Sequence, residues 1–381
     1  MRLIYLSSSI IPSRTANSIH VMKMCHAFAK NGHEVVLLTP DHKCVEPGVD
    51  DIFAYYGVEE RFSLIKLLWL EVRAWVRVCG YLAAWKAKRF KPDIVYGRNL
   101  TACFFAAGMG LSTIFESHQP ISDSDIISQW LFKWMVRRNG LMRLVVITRA
   151  LGEYYRKNYP ELDGKILVAA DAADTINNPI RAKSQILGAD DPIKVGYVGH
   201  LYKGKAMEII AGLAKKCPWV RFHVVGGTEA DLAYWKNYLA GQDNIIFHGF
   251  QLHAKVAQIL QSFDVLLAPF QSRVSPHGGN NKDINIGAWF SPLKIFEYMA
   301  AGKAIICSDL PVLREILTDE HNALLCRPDD INAWEHALIR LFDDIALRES
   351  LGKNAYQNFL HDHTWKARAK KVLTGIFGQE M

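Results

Sequence analysis

The chain is expected to fold as an α/β protein of two doubly wound parallel-sheet domains, and three observations lead there. Short apolar runs alternate with helix-length segments from end to end of the 381 residues. Strands separated in this way must be joined by crossovers and therefore run parallel. The length is large for one core and sufficient for two. A polar stretch over 174–191, carrying Asn-Asn-Pro and Gly-Ala-Asp-Asp, interrupts the alternation near its middle and marks the boundary. The reading gives a first domain over 1–178 and a second over 186–363, with a terminal helix at about 364–381.

In the first half, strands are expected over 3–7, 34–39, 93–96, 113–116, 144–147 and 166–169. A helix separates the first two. Ser18 reads as its N-cap, Ile19, Met22, Cys25 and Phe28 form one apolar stripe, and Asn31-Gly32 ends it. The second half repeats the pattern with strands over 193–198, 220–225, 245–247, 265–268, 304–307 and 324–326. Ligands of such sheets bind beyond the carboxyl ends of the strands. A long loop over 271–289 precedes the most informative helix start of the chain.

That helix start is Ser291-Pro-Leu-Lys-Ile-Phe-Glu297. Ser291 suits the N-cap and Pro292 the first helical position, where a missing N–H is harmless. The N–H groups of Leu293 and Lys294, beside the Lys294 ammonium, suit a phosphate. Glu297, at i+3 from Lys294, is placed to accept hydrogen bonds from a sugar diol. The competing reading is a capped surface helix with an intrahelical Lys–Glu pair.

Half the chain is apolar and 22% is charged, which excludes disorder. The net charge of +7 favours an acidic partner. Seven scattered cysteines without ligand-like spacing argue for a reducing compartment with neither a disulfide framework nor a metal site. Residues 2–7 already read as a strand, so no signal peptide is expected ahead of them. The segment 62–85 is interrupted by Lys66, Glu71, Arg73 and Arg77 and cannot span a bilayer. Over 61–91, however, eight bases face one acid, an excess equal to that of the whole chain, with Trp69, Trp75, Tyr81 and Trp85 interleaved. Trp130-Leu-Phe-Lys-Trp-Met-Val-Arg-Arg138 has the same character. Amphipathic helices of this kind suit an anionic membrane surface; the alternative is ordinary domain helices whose basic stems cover apolar neighbours. No nucleic-acid reading motif accompanies the bases, so no nucleic-acid partner is expected.

The segment from Ser291 to Lys303, with Ser308-Asp-Leu-Pro311 and Arg314-Glu315 behind it, resembles family 4 of the retaining glycosyltransferases. Val195-Gly-Tyr-Val-Gly-His-Leu-Tyr-Lys-Gly-Lys205, Phe263-Asp-Val-Leu-Leu-Ala-Pro269, Ser18-Ile-His-Val21, Gly32-His-Glu-Val35 and Ile114-Phe-Glu-Ser-His118 follow in the family's order. Trp365 and the helix after it resemble the family's terminal segment that returns to the first domain. The resemblance implies the GT-B fold, two facing Rossmann-like domains, with the first on the acceptor side and the second binding the donor. It implies a nucleotide-diphosphate sugar as co-substrate and no cofactor or metal. Lys205 is then the cation that stabilises the departing diphosphate, and His118 touches the transferred sugar or the neighbouring phosphate. Ser291, Leu293, Lys294, Gly199 and His200 line the phosphate end, and Glu297 holds the ribose.

Three departures from the family pattern matter. Trp289 stands eight positions before Glu297, where the family commonly has a first glutamate; Asp283 and Asn285 are the candidates to substitute for it. His200 replaces a frequent arginine, which shifts phosphate charge onto Lys205. The first glycine loop is absent, and Pro12-Ser-Arg-Thr-Ala-Asn-Ser18 stands there, leaving Arg14 and Ser18 as acceptor-side candidates. Asp123-Ser-Asp125 resembles a metal-binding pair but lacks supporting histidines, and no GxGxxG follows a strand. The expectation is a cytoplasmic, retaining, metal-independent glycosyltransferase, peripheral on the membrane, that serves cell-surface polysaccharide assembly such as lipopolysaccharide. Its acceptor is expected to be a lipid-linked glycan. The rivals are a nucleotide-sugar 2-epimerase of the same fold and a non-catalytic nucleotide-binding relative.

Overall fold

A computed structural model describes residues 1–72, 75–176, 193–202, 207–272 and 287–376. Two units emerge, Met1–Asp171 with Trp365–Met381, and Ala172–Thr364. The expected boundary over 174–191 lies mostly outside the described residues.

The first unit runs β1 (Arg2–Leu6), α1 (Ala16–Lys30), β2 (Glu34–Pro40), α2 (Ile52–Tyr56), β3 (Ser63–Leu67), α3 (Trp75–Arg89), β4 (Ile94–Gly97), α4 (Leu100–Gly108), β5 (Thr113–Ser117), α5 (Ile126–Met135), β6 (Leu141–Val146), α6 (Arg149–Asn158) and β7 (Ile166–Val168). Its sheet is parallel throughout, in the order β3-β2-β1-β4-β5-β6-β7. The central strands are buried on both faces, as parallel strands under helices must be. The order reverses between β1 and β4, which pair Leu3 with Ile94 and Leu6 with Gly97. The carboxyl ends of β1, β4 and β5 therefore form the ligand end of this sheet.

The second unit runs β8 (Lys194–Val198), α7 (Met207–Lys216), β9 (Arg221–Val225), α8 (Glu229–Tyr238), β10 (Ile245–Gly249), α9 (His253–Gln261), β11 (Val265–Ala268), α10 (Leu293–Ala300), β12 (Ala304–Ser308), β13 (Leu324–Cys326), α11 (Ile331–Asp343) and α12 (Ile345–Asp362). The chain ends in α13 (Trp365–Leu373), which belongs to the first unit. The second sheet is also parallel, in the order β10-β9-β8-β11-β12-β13. Its switch point lies between β8 and β11, where Val195 pairs with Val265.

Every strand expected from the sequence is present, and one more appears. β3 lies in the segment expected to be an amphipathic helix; it is the sheet's edge, pairs Lys66 with Thr39, and is only partly buried. An edge strand carrying Ser63 and Lys66 lacks the apolar run that marks a central strand. Helix caps also shift. Thr15, not Ser18, caps α1 and accepts from Ser18 N. At α10 the cap position is Pro292, without a side-chain hydrogen bond, so Ser291 does not serve as the N-cap.

Candidate nucleotide-sugar and acceptor sites

The second unit gathers its candidates where β8 meets α10. The Tyr298 hydroxyl accepts from Val198 N at 2.8 Å, which keys the helix to the end of the strand. Beyond Val198 the chain turns back, and the Tyr197 hydroxyl donates to His200 O at 2.5 Å. Gly199 suits that turn because its φ of +154° is one that L side chains rarely adopt. Gly226, at φ +115°, is needed beside it, because a Cβ there would meet Gly199 O at 2.1 Å. The Lys294 ammonium lies 4.0 Å above the Tyr197 ring and 5.0 Å from the Phe270 ring centre, a cation–π seat that holds charge beside the start of α10.

Glu297 does not match the competing reading of a Lys–Glu helix pair. Its Oε1 lies 2.8 Å from His253 Nε2, at the start of α9, and both side chains keep about a fifth of their surface exposed. The remaining oxygen is thereby fixed in direction. His253 was not foreseen, because nothing in Gln251-Leu-His253 signals a partner for a carboxylate 44 residues on. Leu293 opens α10, and the first N–H groups of any α-helix lack partners within the helix. Ser291 and Leu293 are half-buried beside them. Trp289 sits in the turn just before, half-buried, and Phe290 behind it packs edge-on against Phe270. Lys205, Asp283 and Asn285 lie outside the described residues.

In the first unit, the ligand end of the sheet carries His118, just past β5. Its Nε2 lies 2.5 Å from Glu116 Oε1, and 21% of its side chain is exposed. Arg14 bonds Glu46 through Nε at 2.8 Å and through Nη2 as well, and remains partly exposed. Ser18 is fully buried and its hydroxyl donates to Ser13 O and Thr15 O, so that acceptor-side candidate closes the loop instead. Asp125 caps α5 by accepting from Ile127 N and Ser128 N and pairs with Arg77, the structural duty that the Asp-x-Asp resemblance obscured.

Around His118 lies a buried ion network whose parts were visible in the sequence only one by one. Arg368 of α13 donates through Nη2 to Glu116 Oε1 at 3.0 Å and through Nη1 to Oε2 at 3.2 Å. Its Nε reaches Ala170 O at 2.8 Å, and the Tyr96 hydroxyl donates to Glu116 Oε2. His20 of α1 places Nδ1 2.7 Å from Asp171 Oδ1 and Nε2 3.0 Å from Glu116 Oε1, the second contact off the line of a good hydrogen bond. Burial alone would raise the Glu116 pKa; the Arg368 guanidinium and His20 outweigh it and hold the carboxyl well below its usual range. His20, Glu116 and His118 present three ligand atoms within 4.8 Å of one another. With a guanidinium already on both oxygens of Glu116, the cluster is compensated without a metal ion.

Two parallel-sheet units of this strand order have the architecture of the GT-B fold. Solved structures agree on the fold. Sucrose-phosphate synthase from Thermosynechococcus elongatus superposes with a TM-score of 0.71 at 17% identity, covering 98% of this chain and 97% of that one. Anabaena HepE, solved with UDP and glucose, superposes with a TM-score of 0.72 at 13% identity, covering 99% of each. The family description "Glycosyltransferase Family 4" matches residues 18–175 and "Glycosyl transferases group 1" matches residues 192–344. The chain belongs to glycosyltransferase family 4. It is 29% identical over 175 residues to a phosphatidyl-myo-inositol mannosyltransferase of Mycolicibacterium smegmatis, a match spanning 45% of this chain and 40% of that relative.

Proposed function

We propose that this protein is a retaining, metal-independent glycosyltransferase that moves a sugar from a nucleotide-diphosphate donor to a membrane-held glycan carrier. The observation that carries the donor side is the α10 start, where Lys294, beside Gly199, and Glu297 lie one turn apart. In this reading the diphosphate lies across Gly199, His200, Ser291, Leu293 and Lys294, and Glu297, braced by His253, accepts from the ribose hydroxyls. Lys205 neutralises the diphosphate as the glycosidic bond breaks, which is electrostatic stabilisation by a cation placed in advance. In the first unit, His118 is the proposed sugar contact and Arg14 the proposed acceptor-side residue.

The membrane side rests on the outer helices of the first unit. α4 packs against both α3 and α5, and Arg77 joins α3 to the start of α5 at 2.9 Å from Asp125. This leaves Tyr81, Leu82 and Trp85 of α3 and Ile126, Ile127, Trp130 and Trp134 of α5 exposed, Ile126 to 83%. Lys86, Lys88, Arg89 and Lys133 border them, with Arg89 stacked 4.8 Å over Trp85. Among the described residues no helix is long and apolar enough to cross a membrane. Aromatic side chains rimmed by bases suit contact with anionic lipid headgroups. The mannosyltransferase relative is named for a lipid acceptor, which supports a carrier of that kind and a place in cell-surface polysaccharide assembly at the cytoplasmic face.

The test is transfer of labelled sugar from nucleotide donors to lipid extracts in EDTA, with the product anomer read by NMR. Transfer with retention supports the reading; inversion, or a requirement for added divalent metal, contradicts it. Replacing Trp85, Trp130 and Trp134 by Ser should lower sedimentation with phosphatidylglycerol vesicles, and unchanged sedimentation would remove the membrane face.

A further inference from the structure

In the second unit, the turn after β8 is held from outside its own strand. Gly199 N donates to Val225 O at 2.9 Å, just past the end of β8, and Gly226 N donates to Gly249 O at 2.8 Å, just past the end of β9. Two glycines press on the turn from that side. A Cβ at Gly226 would meet Gly199 O at 2.1 Å, and one at Gly227 would meet Leu201 Cδ1 at 2.6 Å. The place of Gly199 is thus set, two hydrogen bonds away, by Gly249 at the end of β10. β10 reaches that point through an irregularity. Phe247 pairs with Val224 and Gly249 with Val225, so His248 is one residue in excess, a β-bulge. β10 is also the edge of its sheet, paired with β9 alone, so no strand on its far side fixes the bulge.

We propose that His223 and His248 are positioning residues for the donor: their hydrogen bond pins the bulge of β10, and the bulge, through Gly249 and Gly226, sets the turn that receives the diphosphate. The proposal rests on the donor reading of the second unit and lies wholly within that unit. His223 sits in the middle of β9 with 1% of its surface exposed, and its Nδ1 lies 3.0 Å from His248 Nε2. The ring planes differ by 8° and the centroids are 5.2 Å apart, close to the longest separation that such an N···N contact allows. Both nitrogens therefore lie on the line joining the rings, one donating its proton and the other accepting it. Burial lowers the His248 pKa, so that ring is uncharged at neutral pH. Phe263 lies 5.8 Å from the His223 ring, and Gln251 Nε2 donates to His248 O at 3.4 Å. A buried imidazole is costly unless its polar atoms are matched. Two of them aimed at each other across neighbouring strands give the bulge a direction that an apolar pair would leave open.

The test is amide hydrogen exchange, followed by NMR on the full chain labelled with heavy nitrogen at its 26 glycines, which reports the turn without any ligand. In His248→Asn, whose amide is too short to reach His223, Gly199 and Gly226 should exchange at least about tenfold faster. Gly352, buried in α12, should keep its rate. His248→Gln, whose amide reaches as far as the ring nitrogen, should restore both rates. The second readout is affinity for UDP, GDP and ADP. The nucleotide that raises the wild-type melting temperature should bind about five- to tenfold more weakly to His248→Asn, and within about twofold of wild type to His248→Gln. Unchanged exchange at Gly199 and Gly226 in His248→Asn overturns the proposal. So does wild-type affinity in that variant, or an equal loss in His248→Gln. If His248→Asn fails to fold, His223→Leu, which suits the buried face, takes its place with the same expectations. A wild-type chain that answers to no nucleotide refutes the donor reading alone, and the exchange rates still decide whether the histidine pair holds the turn.

Discussion

In the first unit a carboxylate with no exposed surface, Glu116, is held by an arginine, a tyrosine and a histidine. In the second unit the carboxylate of α10, Glu297, is bonded to His253 and keeps about a fifth of its surface. The sheets are alike in strand order around their switch points, so the difference lies in what the polar groups are for. Glu116 belongs to the scaffold: it is desolvated in advance, and its partners recover the cost through charge and geometry. Glu297 keeps contact with water, where one brace leaves its second oxygen able to accept, as the proposed donor site requires. The same contrast separates Arg368, sealed among carbonyls and a carboxylate, from Lys294, which rests on aromatic faces that a phosphate can compete with.

The largest break in that contrast comes from Arg368→Met. It strands an ionised Glu116 in the interior and should destabilise the first unit by about 3–5 kcal/mol, seen as an early transition in urea unfolding. A single transition at the wild-type midpoint would show that the network carries little. Next in size, Lys205→Ala should lower turnover by about a hundredfold or more, as expected for loss of a preplaced charge, with the unfolding curve unmoved. Near-wild-type turnover would remove Lys205 from the reaction.

Glu297→Gln sharpens the second half of the comparison. It should weaken nucleotide binding by roughly tenfold, the loss of one charge-assisted hydrogen bond, and leave the melting temperature of the free protein nearly unchanged. A large loss of stability instead would make Glu297 a scaffold group like Glu116. The remaining effect is on pH. His118 is held neutral in the fold with its pKa lowered from 6.5 to about 4, so the unfolded chain binds the extra proton between those values. Stability should fall as pH drops from 6.5 toward 4, by less than about 1.4 kcal/mol per pH unit. Glu116 and Asp171, both held low, add their losses only in more acid solution. Urea midpoints at pH 7, 6 and 5 test the sign, and a rise in stability toward pH 5 would contradict it.

The strands were legible because parallel strands, covered on both faces, leave unbroken apolar runs such as Val265–Ala268 and Ala304–Ser308. β3 was not, since an edge strand with Ser63 and Lys66 is only partly buried and shows no such run. The α10 start was legible from one local segment, whereas the network around His118 was not. His20, Tyr96, Glu116, Asp171 and Arg368 come from five separated segments and meet only once the strand order and α13 bring them together. His253 failed for the same reason, being far from Glu297 in sequence and carrying no motif of its own. Ser18 misled in the other direction: its residue type suits a cap, but Thr15 takes that place three positions earlier.

The most direct test of the donor site is a thermal-shift titration of the purified chain with UDP, GDP, ADP, CMP and dTDP, EDTA present throughout, repeated with Glu297→Ala. A ligand that binds only the folded state raises the melting temperature with its concentration. The account predicts a dose-dependent rise with one diphosphate, UDP first to be tried, and a much smaller rise in the variant. No rise with any nucleotide, or an equal rise in the variant, would contradict the assignment of α10 and Glu297 to the donor.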